Sequence, residues 1–115
     1  ARATPEEAAF DMDMLDYAFQ LFTDTESGQD SVIYHAGPTG YRLAQLVPDP
    51  TRTWSTALPL TVSERPAPGL TLAEAVHRLD ATGLPFVFFA EPTSGRGRVL
   101  YRRYDGHYGL VTPAS

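Results

Sequence analysis

The chain has 115 residues and no cysteine, which limits it to one domain or two very small ones and excludes disulfides and thiolate chemistry. Its net charge of −5 argues against tight binding to naked nucleic acid. The three histidines lie far apart in sequence, and no apolar run is long enough to cross a membrane. We therefore expect no metal, no cofactor and no membrane partner.

A helix is predicted at the start of the chain. Thr4 and Glu7 have the spacing of a capping box, and Pro5 stands at the first helical position, where a missing N–H is tolerated. An apolar stripe with helical spacing follows, and we expect the helix to end near Asp16. The stripe consists of Ala8, Met12 and Leu15.

Strands are predicted after this helix. "AFQLFT" and "SVIYHA" are rich in aromatic and β-branched residues, and the glycine-bearing stretch "TESGQD" separates them as a hairpin loop. A third strand carries Tyr41 and Leu43. The Pro-rich stretch 48–57 then reads as a linker. Its Trp54 either packs onto the domain or is a hot spot for a partner, and packing is the favoured interpretation.

The second part of the chain repeats the first. At an offset of 67 residues, 12 of the 41 positions from 4 to 44 are identical without a gap. The sequence therefore predicts a tandem duplication, with copies at 1–47 and 58–115. The identical positions in the first copy are Thr4, Glu7, Ala8, Asp13, Phe19, Phe22, Ser27, Gly28, Val32, Tyr34, Tyr41 and Leu43.

The second copy adds one element to the pattern. Residues 58–64 read as a strand that precedes the second helix and joins a sheet as an extra strand. The first copy shows no such strand, so we expect one upstream of residue 1. The second helix starts with the capping box of Thr71 and Glu74 and should end near Gly83. Each copy is thus predicted to be a helix followed by a three-stranded antiparallel meander.

The final hairpin, around Asp105-Gly106, has the signature of a two-residue turn. That turn would place Leu100 opposite Val111 and give the sheet two apolar faces. One helix covers only one face. We therefore predict an α+β fold in which the copies pack sheet to sheet around a pseudo-twofold axis within the chain. Val87, Phe89, Leu100 and Val111 should face the second helix; the predicted interface residues are Phe19, Leu21, Tyr34, Phe86, Phe88 and Tyr101.

Candidate chemical sites are sparse in this sequence. The local basic cluster Arg96, Arg98, Arg102 and Arg103 either contacts a phosphate or an acidic partner or, as we favour, is solvated. The acidic first helix reads as a solvated face with carboxylates favoured by the helix dipole, rather than as a metal site. His107 stands beside a turn without a nucleophile–base pattern, so the sequence does not suggest an enzyme.

The stretch "LTLAEAVHRLDATGLPFVFFAEPTSGRGRVLYRRYDGHYGLV" resembles the C-terminal domain of long-form ribosome hibernation promoting factors, the sigma-54 modulation protein family. The resemblance covers residues 58–113 and, more weakly, residues 4–47, where His35-Ala36 replaces an Arg-Arg pair. Its motifs are Glu74-Ala75, the aromatic strand 86–89, Val99 followed by Tyr101-Arg102-Arg103, and Tyr108-Gly109-Leu110.

This resemblance implies a cytoplasmic, ribosome-associated protein that silences translation under stress or in dormancy. A basic N-terminal domain, which this sequence does not contain, would bind the ribosome, and the C-terminal domain would be a dimerisation module that pairs ribosomes. Self-association within the chain and between two chains both remain open. The alternative interpretation is a regulatory domain that binds a small ligand or a non-ribosomal protein between its sheets.

Overall fold

A computed structural model describes residues 2–54 and 56–113. Positions 1, 55, 114 and 115, which include the ends of the predicted copies and one linker position, lie outside the described residues. The α+β class is confirmed by two helices and two sheets. In chain order the elements are β1 (Arg2–Ala3), α1 (Pro5–Met14), β2 (Phe19–Asp24), β3 (Asp30–Ala36), β4 (Gly40–Gln45), β5 (Leu60–Val62), α2 (Leu72–Thr82), β6 (Phe86–Ala90), β7 (Gly97–Arg102) and β8 (Tyr108–Val111).

Both helices begin at the predicted capping boxes. The Glu7 N–H donates to Thr4 Oγ1 at 3.1 Å, and the Thr4 N–H donates to Glu7 Oε1 at 2.9 Å. At α2 the Glu74 N–H donates to Thr71 Oγ1 at 3.2 Å, with the reciprocal bond at 2.9 Å. Because a helix leaves its first N–H groups without intrahelical partners, these bonds fix where each helix starts.

The sheets contain the predicted antiparallel meanders. The five-stranded sheet has the order β1-β2-β3-β4-β5 and the three-stranded sheet the order β6-β7-β8. The predicted extra strand is confirmed as β5, but it pairs in parallel with β4 of the first sheet, although α2 follows it in sequence. We call α1 with the five-stranded sheet the first half, and α2 with the three-stranded sheet the second half.

The two meanders have the same registers, shifted by 67 residues. Phe19 lies opposite Tyr34 in the first half, and Phe86 lies opposite Tyr101 in the second. Even the short β1 has a counterpart, since Arg2 pairs in parallel with Thr23 and an isolated parallel bridge joins Gly69 to Ala90. This parallel pairing at the edge of each half was not predicted from the sequence.

The predicted register of the last hairpin is wrong. Leu100 lies opposite Leu110 rather than Val111, and Val99 lies opposite Val111. The Arg103 N–H donates to the His107 carbonyl at 2.7 Å, and Gly106 closes the turn with a φ of 89°. Three residues, 104–106, therefore form the loop, as in hairpins built from a type I turn followed by a left-handed glycine. This moves Val111 away from α2 and places Leu110 on the α2 side.

In each half one face of the sheet packs on that half's own helix. In the first half α1 packs through Ala8, Ala9 and Met12 against a core that includes Phe22, Ile33 and Leu43. In the second half Val87, Phe89 and Leu100 face α2, as predicted. Fully burying a side chain of this size contributes roughly 1.5–3 kcal/mol. A third cluster contains residues of both sheets.

Candidate functional site

The third cluster lies where the two sheets meet, and we call it the inter-sheet contact. Its buried centre consists of Val32, Phe88 and Val99. Half-buried side chains from both sheets and from the segments that follow β4 and β5 surround this centre: Phe19, Leu21, Ala44, Leu46, Ala67, Phe86 and Val111. Val111 belongs here because of the shifted hairpin register, which corrects its predicted position against α2.

Four aromatic rings of the predicted interface set touch across this contact. Phe19 and Phe86 have ring centroids 5.0 Å apart. Phe19 meets Tyr101 edge-on at 5.7 Å, and Phe86 meets Tyr34 edge-on at 5.1 Å. Tilted and edge-to-face pairs of this kind contribute about 0.5–1.5 kcal/mol each beyond their area burial. All six predicted residues thus lie in or beside the inter-sheet contact.

A buried carboxylate joins the two sheets where β3 and β7 begin. Asp30 at the start of β3 is 2% exposed, and its two oxygens accept from Arg96 Nε at 2.8 Å and Nη2 at 3.0 Å. The Gly97 N–H also donates to it at 2.8 Å. Burial disfavours the charged form, but these hydrogen bonds outweigh burial and lower the pKa of Asp30 below its ordinary value. Asp30 therefore binds β7 as a carboxylate.

The close approach at this point requires a glycine. A Cβ at Gly97 would stand 2.8 Å from the Cβ of Asp30 and 2.9 Å from the ring of Phe88. Positions 30 and 97 are separated by the 67-residue offset, so the equivalent sites of the two halves meet here with different residues. Sequence reasoning missed Asp30, although an acidic residue opposite a glycine in the self-alignment was a visible signal.

The structure does not gather the four predicted arginines into one basic surface. Arg96 binds Asp30 of the first half, whereas Arg102 binds Asp80 on α2 with Nη2 2.6 Å from Oδ1. Arg103 lies 3.7 Å from Asp105 at the turn. Arg98 is half-buried opposite Phe89. Acidic neighbours thus offset much of the positive charge that a phosphate contact would need.

The helix side of each half carries an aspartate that binds a tyrosine and a basic residue. In the second half the Tyr108 hydroxyl donates to Asp80 Oδ1 at 2.6 Å, and Arg102 binds the same oxygen. In the first half Asp13 accepts from the Tyr41 hydroxyl and lies 2.8 Å from His35 Nε2. The bond from Tyr108, followed by that from Arg102, lowers the pKa of Asp80. The bond to Asp80 in turn raises the pKa of Tyr108.

The linker packs onto the first half, as the favoured interpretation of Trp54 predicted. Trp54 contacts the first-half core, and the Arg52 guanidinium lies 3.5 Å from the centroid of its ring. Arg52 also binds Asp24, which is fully buried, and the exposed Glu26. Burial opposes the charged form of Asp24, but bonds from Arg52 and Ser27 outweigh it and lower its pKa.

The described residues offer little for ligand chemistry. A groove of about 480 Å³ lies at one end of the inter-sheet contact, lined by Tyr17, Ala18, Phe19, Gln20, Leu21, Tyr101 and Val111. Its described lining has no carboxylate, histidine or cation to orient a ligand. Among the described residues no group of three His, Asp or Glu side chains is placed to hold a metal. No described helix has the length and apolarity to span a membrane.

Together, the fold and the inter-sheet contact define a small α+β domain. The chain matches the family described as sigma 54 modulation/S30EA ribosomal protein C terminus over residues 1–43 and 61–110, and it belongs to that family. It is 50% identical over 119 residues to proteins named dormancy associated translation inhibitor from Mycobacterium tuberculosis strains H37Rv and CDC 1551, across 97% of this chain. It thereby spans 44% of their length.

A third relative matches a shorter stretch. It is the ribosome hibernation promotion factor of Bradyrhizobium diazoefficiens, which is 46% identical over 44 residues. That match covers 38% of this chain and 22% of the relative. The resemblance to hibernation factors drawn from the motifs of residues 58–113 is confirmed by these comparisons.

Proposed function

We propose that this chain is the self-association module of a ribosome hibernation factor, and that its two halves pair with each other inside one chain. The inter-sheet contact is the observation that carries the proposal. It joins one apolar sheet face of each half through four aromatic rings, so each half supplies the cover that the other needs. An isolated half would expose this face to water.

The proposal includes a tandem duplication of one helix–meander unit. Three observations support it: the twelve identities at an offset of 67, the equal strand registers of the two meanders, and the two separate segments that match one family. The aromatic pairs support a pseudo-twofold axis as well. The offset of 67 residues relates Phe19 to Phe86 and Tyr34 to Tyr101. The contact of Phe19 with Tyr101 is therefore equivalent to the contact of Phe86 with Tyr34.

Asp30 and Gly97 make the pairing selective. Contact between two first halves would bring two Asp30 carboxylates together at a point where the backbones approach closely. Contact between two second halves would place Gly97 against Gly97 and leave the Asp30–Arg96 ion pair unformed. A first half therefore favours a second half. Because both stand in one chain, their effective concentration favours the intrachain contact.

The wider role comes from the relatives and the charge of the chain. One relative is named a translation inhibitor and another a ribosome hibernation promotion factor, and we extend this role to the protein that contains this chain. With a charge of −5 and arginines bound to carboxylates, the module itself is poorly suited to neutralise phosphates. We assign ribosome binding to a basic domain outside this chain and place the protein in the cytoplasm.

The same surfaces argue against an enzyme and against the ligand-binding alternative. The ionisable clusters described above are ion pairs, capping interactions or hydrogen bonds from a tyrosine hydroxyl to an aspartate, and none of them places a serine or threonine hydroxyl against a histidine. The groove beside Phe19 and Tyr101 lacks the convergent polar groups of a typical ligand site. A non-enzymatic interaction module remains the better account.

Deleting residues 1–115 from the longer protein tests this division of labour. We expect the remaining protein to co-sediment with ribosomes as the intact protein does. Since the inter-sheet faces of the intact chain already cover each other, we expect the intact protein to leave ribosomes single. Loss of ribosome binding on deletion, with the remaining protein still folded by circular dichroism, would refute the proposal.

A further inference from the structure

The two halves differ at one edge of their sheets. In the first half β5 pairs with β4, so that Tyr41 lies opposite Leu60 and Leu43 lies opposite Val62. In the second half β8, the counterpart of β4, is the last strand of its sheet. Leu43 is fully buried, whereas the equivalent Leu110 is 39% exposed and Tyr108 is 37% exposed. Within residues 2–54 and 56–113, the second half thus has an uncovered edge where the first half is covered.

The backbone groups along β8 are oriented to accept another strand. Arg103 and His107 form a hydrogen-bonded pair, so the next pair, Arg102 and Tyr108, is of the non-hydrogen-bonded kind. In such a pair the backbone N–H and C=O groups of the two residues point away from each other. Those of Tyr108 therefore point to the open side of β8. At the equivalent edge the Tyr41 N–H donates to the Pro59 carbonyl at 2.9 Å, and the Leu43 carbonyl accepts from Ser63 at 2.8 Å. An edge strand with such free groups invites pairing.

Chain order indicates which segment belongs there. The strand that covers the first half, β5, comes ten residues before the start of α2 at Leu72. Under the proposed duplication, the strand that covers the second half comes ten residues before the start of α1 at Pro5, which is upstream of Ala1. We propose that β8 receives, in parallel, a short apolar strand from the segment that precedes Ala1 in the longer protein. This inference rests on the duplication in the proposed function.

Such a strand would complete the pseudo-twofold arrangement. Each half would then receive the strand that precedes the other half's helix, so each sheet would contain a strand contributed by the other copy. The pairing of β5 with β4 sets the register, because Tyr108 and Leu110 are equivalent to Tyr41 and Leu43. The Tyr108 N–H would donate to the incoming strand, and the Leu110 carbonyl would accept from it. The incoming side chains would cover Leu110, as Leu60 and Val62 contribute to the core around Leu43.

Amide hydrogen exchange compares the 115-residue chain with the longer natural chain. We expect the Tyr108 amide to exchange at least about tenfold more slowly in the longer chain, since a new hydrogen bond protects it. The Tyr41 amide is the matched control, because its bond to Pro59 is present in both chains. Replacing the upstream segment with a Gly-Ser stretch of equal length should abolish the added protection.

Two results would overturn the inference. One is a Tyr108 amide that exchanges equally fast in both chains while Tyr41 stays protected. The other is protection of Tyr108 that rises with concentration in the 115-residue chain, which would make a second copy the occupant of this edge. The mass of the same samples reports whether the two halves pair within a chain. A failure of the proposed function is therefore distinguishable from a failure of this inference.

Discussion

The two halves use one scaffold with different edges and different polar contacts. Their registers agree strand by strand, and both place a helix aspartate against a tyrosine hydroxyl. Yet the first half pairs that aspartate with His35 and the second with Arg102. The β5 strand covers one edge, and no strand of the described part of the chain pairs with the equivalent edge. The comparison teaches that similar apolar patterning accompanies the same strand registers, while the two halves differ at the sheet edge and in the basic partner of the helix aspartate.

The largest expected difference is between two equivalent leucines. Leu43→Ala should destabilise the chain by roughly 2–5 kcal/mol, because it leaves a cavity in a fully buried site. Leu110→Ala, at 39% exposure, should cost less than about 1 kcal/mol. Denaturant unfolding followed by circular dichroism measures both. Equal costs for the two variants would show that the edges are not as different as the structure indicates.

Asp30→Asn removes the buried charge that joins the sheets. We expect a loss of about 1.5–3 kcal/mol at neutral pH, since the bonds to Arg96 and Gly97 lose their charge assistance. Asp105→Asn, at the exposed turn, is the control and should change stability by less than about 0.5 kcal/mol.

The pH dependence of the Asp30→Asn effect has a defined sign. The pKa of Asp30 is lowered by folding, so its charge stabilises the fold above the ordinary value of 3.8, and this stability is lost as the pH falls through the lower folded value. The difference between wild type and variant should be constant near neutrality and shrink below pH 3.8. A difference that grew in acid would contradict an ionised Asp30.

Gly97→Ala tests the close approach of the halves. Its Cβ would stand 2.8 Å from Asp30 and 2.9 Å from the ring of Phe88, so we expect a cost of about 1–3 kcal/mol. Gly69→Ala is the matched control, since a Cβ there meets no atom within 4 Å. Thermal unfolding of both variants measures the difference. If both substitutions were equally mild, the sheets would not be in close contact at position 97.

The smallest effect concerns the basic residues on the helix sides. In the first half the helix aspartate is paired with His35, so Arg102→His would give Asp80 the same kind of partner. Because Arg102 and Asp80 are both exposed, we expect a change of less than about 0.5 kcal/mol at neutral pH. The free energy of unfolding measures it, with His35→Arg as the reciprocal variant. A loss above about 1 kcal/mol would mean that this contact stabilises the fold, contrary to the small contribution expected of an exposed ion pair.

Local signals in the sequence were sufficient for both helices, for the strands of the two meanders and for most faces. The capping boxes at Thr4 and Thr71 mark the helix starts because they depend on residues three positions apart. Alternation separates Phe86 and Phe88 from Val87 and Phe89 because side-chain direction in a strand has a period of two. These features need no knowledge of distant contacts.

Features that depend on tertiary geometry could not be predicted in the same way. Asp-Gly suits both two- and three-residue hairpins, and the longer loop shifted Val111 to the opposite face. The pairing of β5 with β4 depends on how the halves pack, which no local pattern encodes. The role of Asp30 likewise appears only when β3 and β7 are brought together.

The central claim, that the halves pair within one chain, is tested most directly by the mass of the 115-residue chain in solution. Sedimentation equilibrium across a wide range of concentrations measures it while circular dichroism confirms that the chain is folded. The account predicts 12.6 kDa, the mass of one chain, at every concentration. A folded dimer that dissociates and unfolds on dilution would contradict it, because the inter-sheet contact would then join two chains.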